Sequence, residues 1–237
     1  MVAVSDASTP NEGAGPAERP SGAPDLGPPQ ELPFPPGFFT RVDPLPDTMF
    51  YEHDRFVTHI DDRAIAAVGA LYTELGLGGR VLDLMSSWIS HFETKPDELV
   101  VLGLNANELT ANKQASEAVV YDLNDDPTLP FEDASFDAVT CCVSVDYLVH
   151  PIEVFSEVRR VLRPGGLFVN TFSNRYFPTK VIRGWTMTTE EQHGLLVALY
   201  FRRSAQPGLG WGEPVIELRT PPGTPGDPLY AVYARAV

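Results

Sequence analysis

Sulfhydryl chemistry is nearly missing from this chain of 237 residues: its two cysteines, Cys141 and Cys142, are adjacent. Neighbouring strand residues point to opposite faces, so they cannot pair with each other. Two reduced thiols fit a reducing compartment. The five histidines, His53, His59, His91, His150 and His193, are scattered and give no zinc-ligand spacing with two cysteines. No apolar run approaches the ~18 residues of a membrane span. "MVAVSDASTPNEGAGPAERP" has neither a basic leader nor an apolar stretch, so the expected compartment is the cytoplasm. Basic residues are scarce, 17 Lys and Arg against 32 Asp and Glu, for a net charge of -15. Such a surface repels phosphate backbones and anionic membranes. Neither nucleic acid nor membrane is therefore expected as a partner, which leaves small molecules; the oligomeric state is not readable. The last scarcity is local. After the apolar run "VLDL", ending at Leu84, a nucleotide-binding α/β fold needs glycines. Here stand Met85, Ser86, Ser87 and Trp88.

What is present reads as one globular domain. Hydrophobic residues make up 43% of the chain, enough for a sizeable core. Residues 1–36, rich in Pro, Gly and acid, cannot bury enough surface to offset their ordering entropy and are expected to form a disordered tail. Residues 37–237 form the expected domain, with 37–62 as an aromatic N-terminal lid or wrap. "DDRAIAAVGALYTELGLGG" predicts a helix with Ile65, Val68, Tyr72 and Leu75 on one face, an aspartate cap and a Gly76 stop. Strands are predicted at 80–84, 99–104, 118–121, 136–143 and 167–172. A further helix spans 151–162, opened by Pro151 and closed by Arg159 and Arg160. Another starts at "TTEEQHGLL", with Thr188 and Glu191 at capping-box spacing. Only about eleven residues separate Trp88 from the second strand, which predicts a helix of one or two turns there, capped by Ser86 or Ser87. "EPVIEL" and "PLYAVYARAV" close the chain as an antiparallel pair. Alternating strands and helices predict a mostly parallel sheet covered on both faces, with ligands at the carboxyl ends of its strands.

Four stretches fall at those ends: "VLDLMSSW", "VVLGLNANEL", "YDLNDDPTLPFEDASFDAV" and "TCCVSVDYLVHP". With "VLRPGGLFVNTFSN" they resemble, in order, the class I S-adenosylmethionine-dependent methyltransferases of the type 11 branch. The most specific part is "LPFEDASFDAVTC" followed by "EVRRVLRPGGLF". "LDLMSSW" is similar to a subgroup that carries this run in place of the glycine loop. The resemblance implies a Rossmann-like, seven-stranded, mostly parallel sheet with an antiparallel edge strand and helices on both faces. It implies S-adenosyl-L-methionine as cofactor and methyl transfer to a small-molecule acceptor. The alternative is a catalytically silent binding or scaffold protein of the same fold.

By the same resemblance Asp83 organises the methionine end of the cofactor, and Met85, Ser86 and Ser87 occupy the glycine-loop positions. Asn105 stands where the ribose-binding acid stands. Asp122 and Leu123 flank the adenine, and Val143, after Cys142, borders the methyl-donor side. Two departures weaken the cofactor site. A serine forced into the left-handed region costs roughly 1–2 kcal/mol. A neutral hydrogen bond from Asn105 is worth about 0.5–1.5 kcal/mol against about 1.5–3 for a charged one. On the acceptor side, Tyr51, His53, Asp54 and His59 lie in the aromatic segment, with His53 the candidate general base. Asp146, Tyr147 and His150 follow the fourth strand, and Asn174 and Arg175 the fifth. The catalytic candidates are His53, Asp146 and Tyr147. Trp88 and His193 read as packing residues, and no metal ligands are expected.

Overall fold

The computed structural model describes residues 34–220 and 223–237. Residues 1–33 of the expected tail lie outside that set. Residues 36–237 form one compact unit. Its sheet has seven strands in the order β3-β2-β1-β4-β5-β7-β6. They are β1 Arg80–Leu84, β2 Glu98–Gly103, β3 Glu117–Val120, β4 Phe136–Cys142, β5 Leu162–Phe172, β6 Val215–Leu218 and β7 Tyr230–Arg235. The first five pair in parallel, and β7 runs antiparallel to both β5 and β6. The strand order reverses between β1 and β4, which puts the crevice for a ligand outside their carboxyl ends.

The six helices are α1 Asp47–Phe50, α2 Asp62–Glu74, α3 Ala106–Ala111, α4 Pro151–Val161, α5 Arg183–Thr186 and α6 Glu190–Ser204. The α2 cap is Asp61, whose carboxylate accepts from the Ala64 N–H at 2.9 Å. Val68, Leu71 and Tyr72 of α2 pack on Val81, Leu99, Val101 and Val169. Strand alternation sends Phe168 and Phe172 to the other face. There Phe155 of α4 and Phe201 of α6 meet Phe168 edge-on, with centroids 4.8 and 5.5 Å away. Helices therefore cover both faces.

The structure departs from expectation at three places. The capping box of α6 is Thr189 with Gln192, one residue later than Thr188 with Glu191. The Thr188 hydroxyl is spent instead on the Gly184 and Trp185 carbonyls, closing α5. β5 starts early: Phe136 pairs with Leu162 and Ala138 with Leu167, so "RPGG" bulges between them. No helix forms between β1 and β2. Met85 and His91 take left-handed φ values of 50 and 54°, which breaks any helical turn.

The β1–β2 connection instead lies across the end of β2, where the Ser86 N–H donates to the Leu102 carbonyl at 2.8 Å. The Ser86 carbonyl then crosses so closely that a Cβ on Gly103 would stand 2.3 Å from it. Glycine is needed at position 103 for that approach rather than for its dihedrals. Gly103→Ala should destabilise the fold by about 1–3 kcal/mol, the usual cost of overpacking against backbone; urea unfolding with an unchanged m-value is the check.

Candidate active site

A cavity of about 240 Å³ opens at the carboxyl ends of β1, β2, β3 and β4. Asp83 anchors its base. The carboxyl is buried (3% exposed) at the end of β1. Its Oδ1 accepts from the Thr140 hydroxyl at 2.6 Å, and its Oδ2 accepts from Ser86 and Ser90 at 2.6 and 2.7 Å. Burial pushes the Asp83 carboxyl up, while these three hydroxyls pull it back. The two serines staple the loop to the strand in place of a glycine turn. Ser87 turns away from Asp83 and donates to Glu108 Oε2 at 2.5 Å. The left-handed residue is thus Met85 rather than a serine.

Asn105 is the cap of α3. Its Oδ1 accepts from the Asn107 and Glu108 N–H groups, and its Nδ2 donates to the Tyr51 carbonyl and to Asp54. Glu108 stands at capping-box distance from it, yet its carboxylate does other work. Oε1 accepts from the Arg55 N–H at 2.7 Å while Oε2 takes Ser87. One carboxylate so ties the N-terminal segment to the β1 loop. At the end of β3, Asp122 lines the cavity beside buried Leu123, and desolvation raises its carboxyl. Val143, with a left-handed φ of 46°, follows β4 and borders the same space.

The N-terminal segment closes the far side. Asp47, 4% exposed, takes both oxygens to Arg41 at 2.8 and 2.7 Å. It also accepts from Asn124 at 2.8 Å and pairs with Lys180, itself 1% exposed, at 3.1 Å. Desolvation alone would lift the Asp47 carboxyl, but Arg41, Asn124 and Lys180 hold it below the ordinary range. Beyond it Tyr51, Arg55, His59, Tyr147 and Phe177 form an aromatic wall. Phe177 is its hub, edge-on to Phe50 at 5.2 Å and to His59 at 5.5 Å.

The cavity thus brings together Asp83, Met85, Ser86, Ser87, Asn105, Asp122, Leu123, Val143 and Tyr147. His53 and Asp146 do not line it. His53 is exposed, and its neighbour Tyr51 faces inward. Asp146 sits in the 3₁₀ turn Val145–Tyr147, which aims Tyr147 at the cavity and turns Asp146 toward the core. There its Oδ2 has no hydrogen-bond partner, and burial pushes its carboxyl up to about 8. Cys142 lines the cavity as a free thiol, and burial raises it to about 12. Trp88 also lines it, held by its Nε1–H on the Val57 carbonyl at 3.1 Å. His193 stacks on Trp185 at 3.9 Å, in a packing role. Glu108, Arg55 and Phe177 were not anticipated. Glu108 looks in sequence like a helix-cap partner, Phe177 acts through contacts remote in the chain, and Arg55 lies in a segment without a regular period.

A crevice at the strand-order switch, with polar groups on the ends of β1, β2 and β3, is where α/β sheets of this kind bind ligands. Residues 76–170 match the family described as a methyltransferase domain. Over that segment the chain resembles the type 11 kind of class I S-adenosylmethionine-dependent methyltransferase. A demethylmenaquinone methyltransferase of Renibacterium salmoninarum is 32% identical over 148 residues, covering 60% of this chain and 58% of that protein. A ubiquinone/menaquinone biosynthesis C-methyltransferase of Chromobacterium violaceum is 33% identical over 109 residues, 44% of each chain. The chain spans between 18% and 58% of the length of the first three curated relatives it matches. In Thermotoga maritima, a methyltransferase described as a possible histamine N-methyltransferase shares the fold, with a TM-score of 0.50 at 12% identity. That match covers 73% of this chain and 89% of the other. S-adenosylmethionine is the cofactor of this class, and the donor set fits it. Asp122 offers a carboxylate acceptor beside apolar Leu123 and Leu104, as an adenine amine requires, and polar loop groups stand at the opposite end of the cavity.

Two outcomes test the site's electrostatics. Removing the Ser90 hydroxyl in Ser90→Ala should cost about 1–3 kcal/mol, the price of an under-satisfied buried carboxylate, measured by thermal unfolding. Asp146 holds a proton in the folded state that the unfolded chain gives up. Its contribution to stability therefore falls as pH rises from the ordinary carboxylate range to about 8 and is level above that. Asp146→Asn should match wild type near pH ~4 and become more stable at neutral pH by ~1.4 kcal/mol per pH unit gained; melting temperatures across that range check it.

Proposed function

We propose that the chain transfers a methyl group from S-adenosylmethionine to a small-molecule acceptor. The observation that carries this reading is one continuous cavity from Asp122 at the end of β3, past the Met85–Ser87 loop, to the Tyr51, Tyr147 and Phe177 wall. The curated relatives named above are methyltransferases of quinone biosynthesis, which supports a small organic acceptor. The cofactor supplies an electrophilic methyl on a sulfonium. This chain's residues bind, orient and exclude water. Asp122 accepts from the adenine amine, Leu104 and Leu123 sandwich its ring, and the loop fastened by Asp83 positions the amino-acid end. The aromatic wall holds the acceptor in line. His59 lines the cavity, its imidazole lowered by desolvation, and takes a proton where the acceptor has one to lose. The proposed compartment is the cytoplasm, and no helix among the described residues is long and apolar enough to cross a membrane.

A second reading, a silent binding protein, is favoured by Asn105. Its amide and carbonyl already hold Asp54, the Tyr51 carbonyl and two α3 N–H groups, so a ribose hydroxyl must displace one of them. Calorimetric titration of the full chain with S-adenosylhomocysteine decides between them. Binding is expected, with Asp122→Ala weakening it by about 10- to 150-fold, the worth of a charged hydrogen bond. No binding at millimolar ligand would establish the silent reading.

A further inference from the structure

The geometry points to an acceptor that is a small planar aromatic carboxylate, held through its anionic group by Arg55; the inference rests on the methyl-transfer reading above. Acids outnumber bases 32 to 17 in this chain, yet the cavity lining is balanced, with Arg41, Arg55, Arg175 and Lys180 against Asp47, Asp83, Glu108 and Asp122. Arg41 is paired with Asp47, and Lys180 with both Asp43 and Asp47 at 3.1 Å. Arg175 is 65% exposed and faces Asp227 at 3.7 Å.

Arg55 differs from all three. Among the described residues its guanidinium meets only carbonyls, those of Phe50 at 2.7 Å and His53 at 3.4 Å. Its carbon lies 4.6 Å from the Phe50 ring centroid, 5.4 Å from Tyr51 and 5.9 Å from Phe177. The rings strip water from the cation and hold its plane. The nearby carboxylate of Glu108 is already committed, to the Arg55 backbone N–H and the Ser87 hydroxyl. That same bond fixes the arginine's place in the wall. A guanidinium with spare donors, partly desolvated and unpaired, recognises a carboxylate by paired hydrogen bonds. The rings of Tyr51, Tyr147 and Phe177 beside it suit a flat apolar body. The amino-acid end of the cofactor also carries a carboxylate, so the test separates the two sources.

Hydroxybenzoate and its neutral isostere hydroxybenzamide are titrated calorimetrically onto the full chain saturated with S-adenosylhomocysteine, for wild type, Arg55→Gln and Arg55→Lys. Wild type should prefer the carboxylate by about tenfold, the difference between a charged and a neutral hydrogen bond. Arg55→Gln should lose that preference while keeping its affinity for S-adenosylhomocysteine, and Arg55→Lys should retain part of it. Thermal unfolding confirms that each variant is folded. Equal affinities in wild type, or no binding of either probe, overturn the inference while the methyl-transfer reading stands. Loss of S-adenosylhomocysteine affinity in Arg55→Gln also overturns it, by assigning the arginine to the cofactor's carboxylate. Failure of S-adenosylhomocysteine to bind wild type sinks both.

Discussion

A carboxylate buried at the end of β1 governs the shape of everything above it. Asp83 has lost its water, and only hydrogen-bond donors delivered by the protein can replace it. Thr140 comes from the neighbouring strand, and Ser86 and Ser90 come from the loop. Satisfying the acid therefore bends the loop back toward the strand and leaves Ser87 free to reach Glu108. Glu108 in turn receives the Arg55 N–H, which sets where the N-terminal segment lies. A chain of hydrogen bonds thus runs from the strand end to the aromatic wall.

The second constraint is the Asp47 cluster. Arg41, Asn124 and Lys180 converge on one buried carboxylate from the N-terminal segment, the turn after β3 and the segment after β5. Taking these charges out of water is costly, and the cost is met only when every partner is present. The arrangement therefore specifies one closed geometry for segments that share no regular secondary structure.

The sheet was legible in the sequence because its strands are apolar runs separated by turn residues, and each predicted strand lies within a few residues of its place. α2 and α4 announced themselves by period and caps. The capping box of α6 slipped by one because two threonines each had a partner three residues on, and only the tertiary structure shows that Thr188 is used by α5. The helix expected after β1 failed for a related reason: the two expected caps are held elsewhere, Ser86 on Asp83 and Ser87 on Glu108, and the backbone turns left-handed at Met85 and His91. The positions along the cavity were legible because the ends of β1 to β4 follow from strand order. The assignment of His53 and Asp146 to the cavity was not, since neighbours in an irregular or 3₁₀ segment point in different directions. Phe177 was hidden because its surroundings are assembled from segments far apart in the chain, and Arg55 because its partners Phe50, Tyr51 and His53 lie in a segment without a regular period.

The path of the β1 loop across Gly103 has a consequence for engineering. Changing Ser86 and Ser87 to glycine would not convert this loop into a glycine-rich one. Without Ser86 the acid loses one donor, and without Ser87 the link to Glu108 is gone. The backbone would still be committed to the end of β2, with too few residues before Glu98 for a full helix. The two loop designs are separate local minima, and a graft between them must exchange the whole segment from Asp83 to Glu98 together with Gly103 and Glu108.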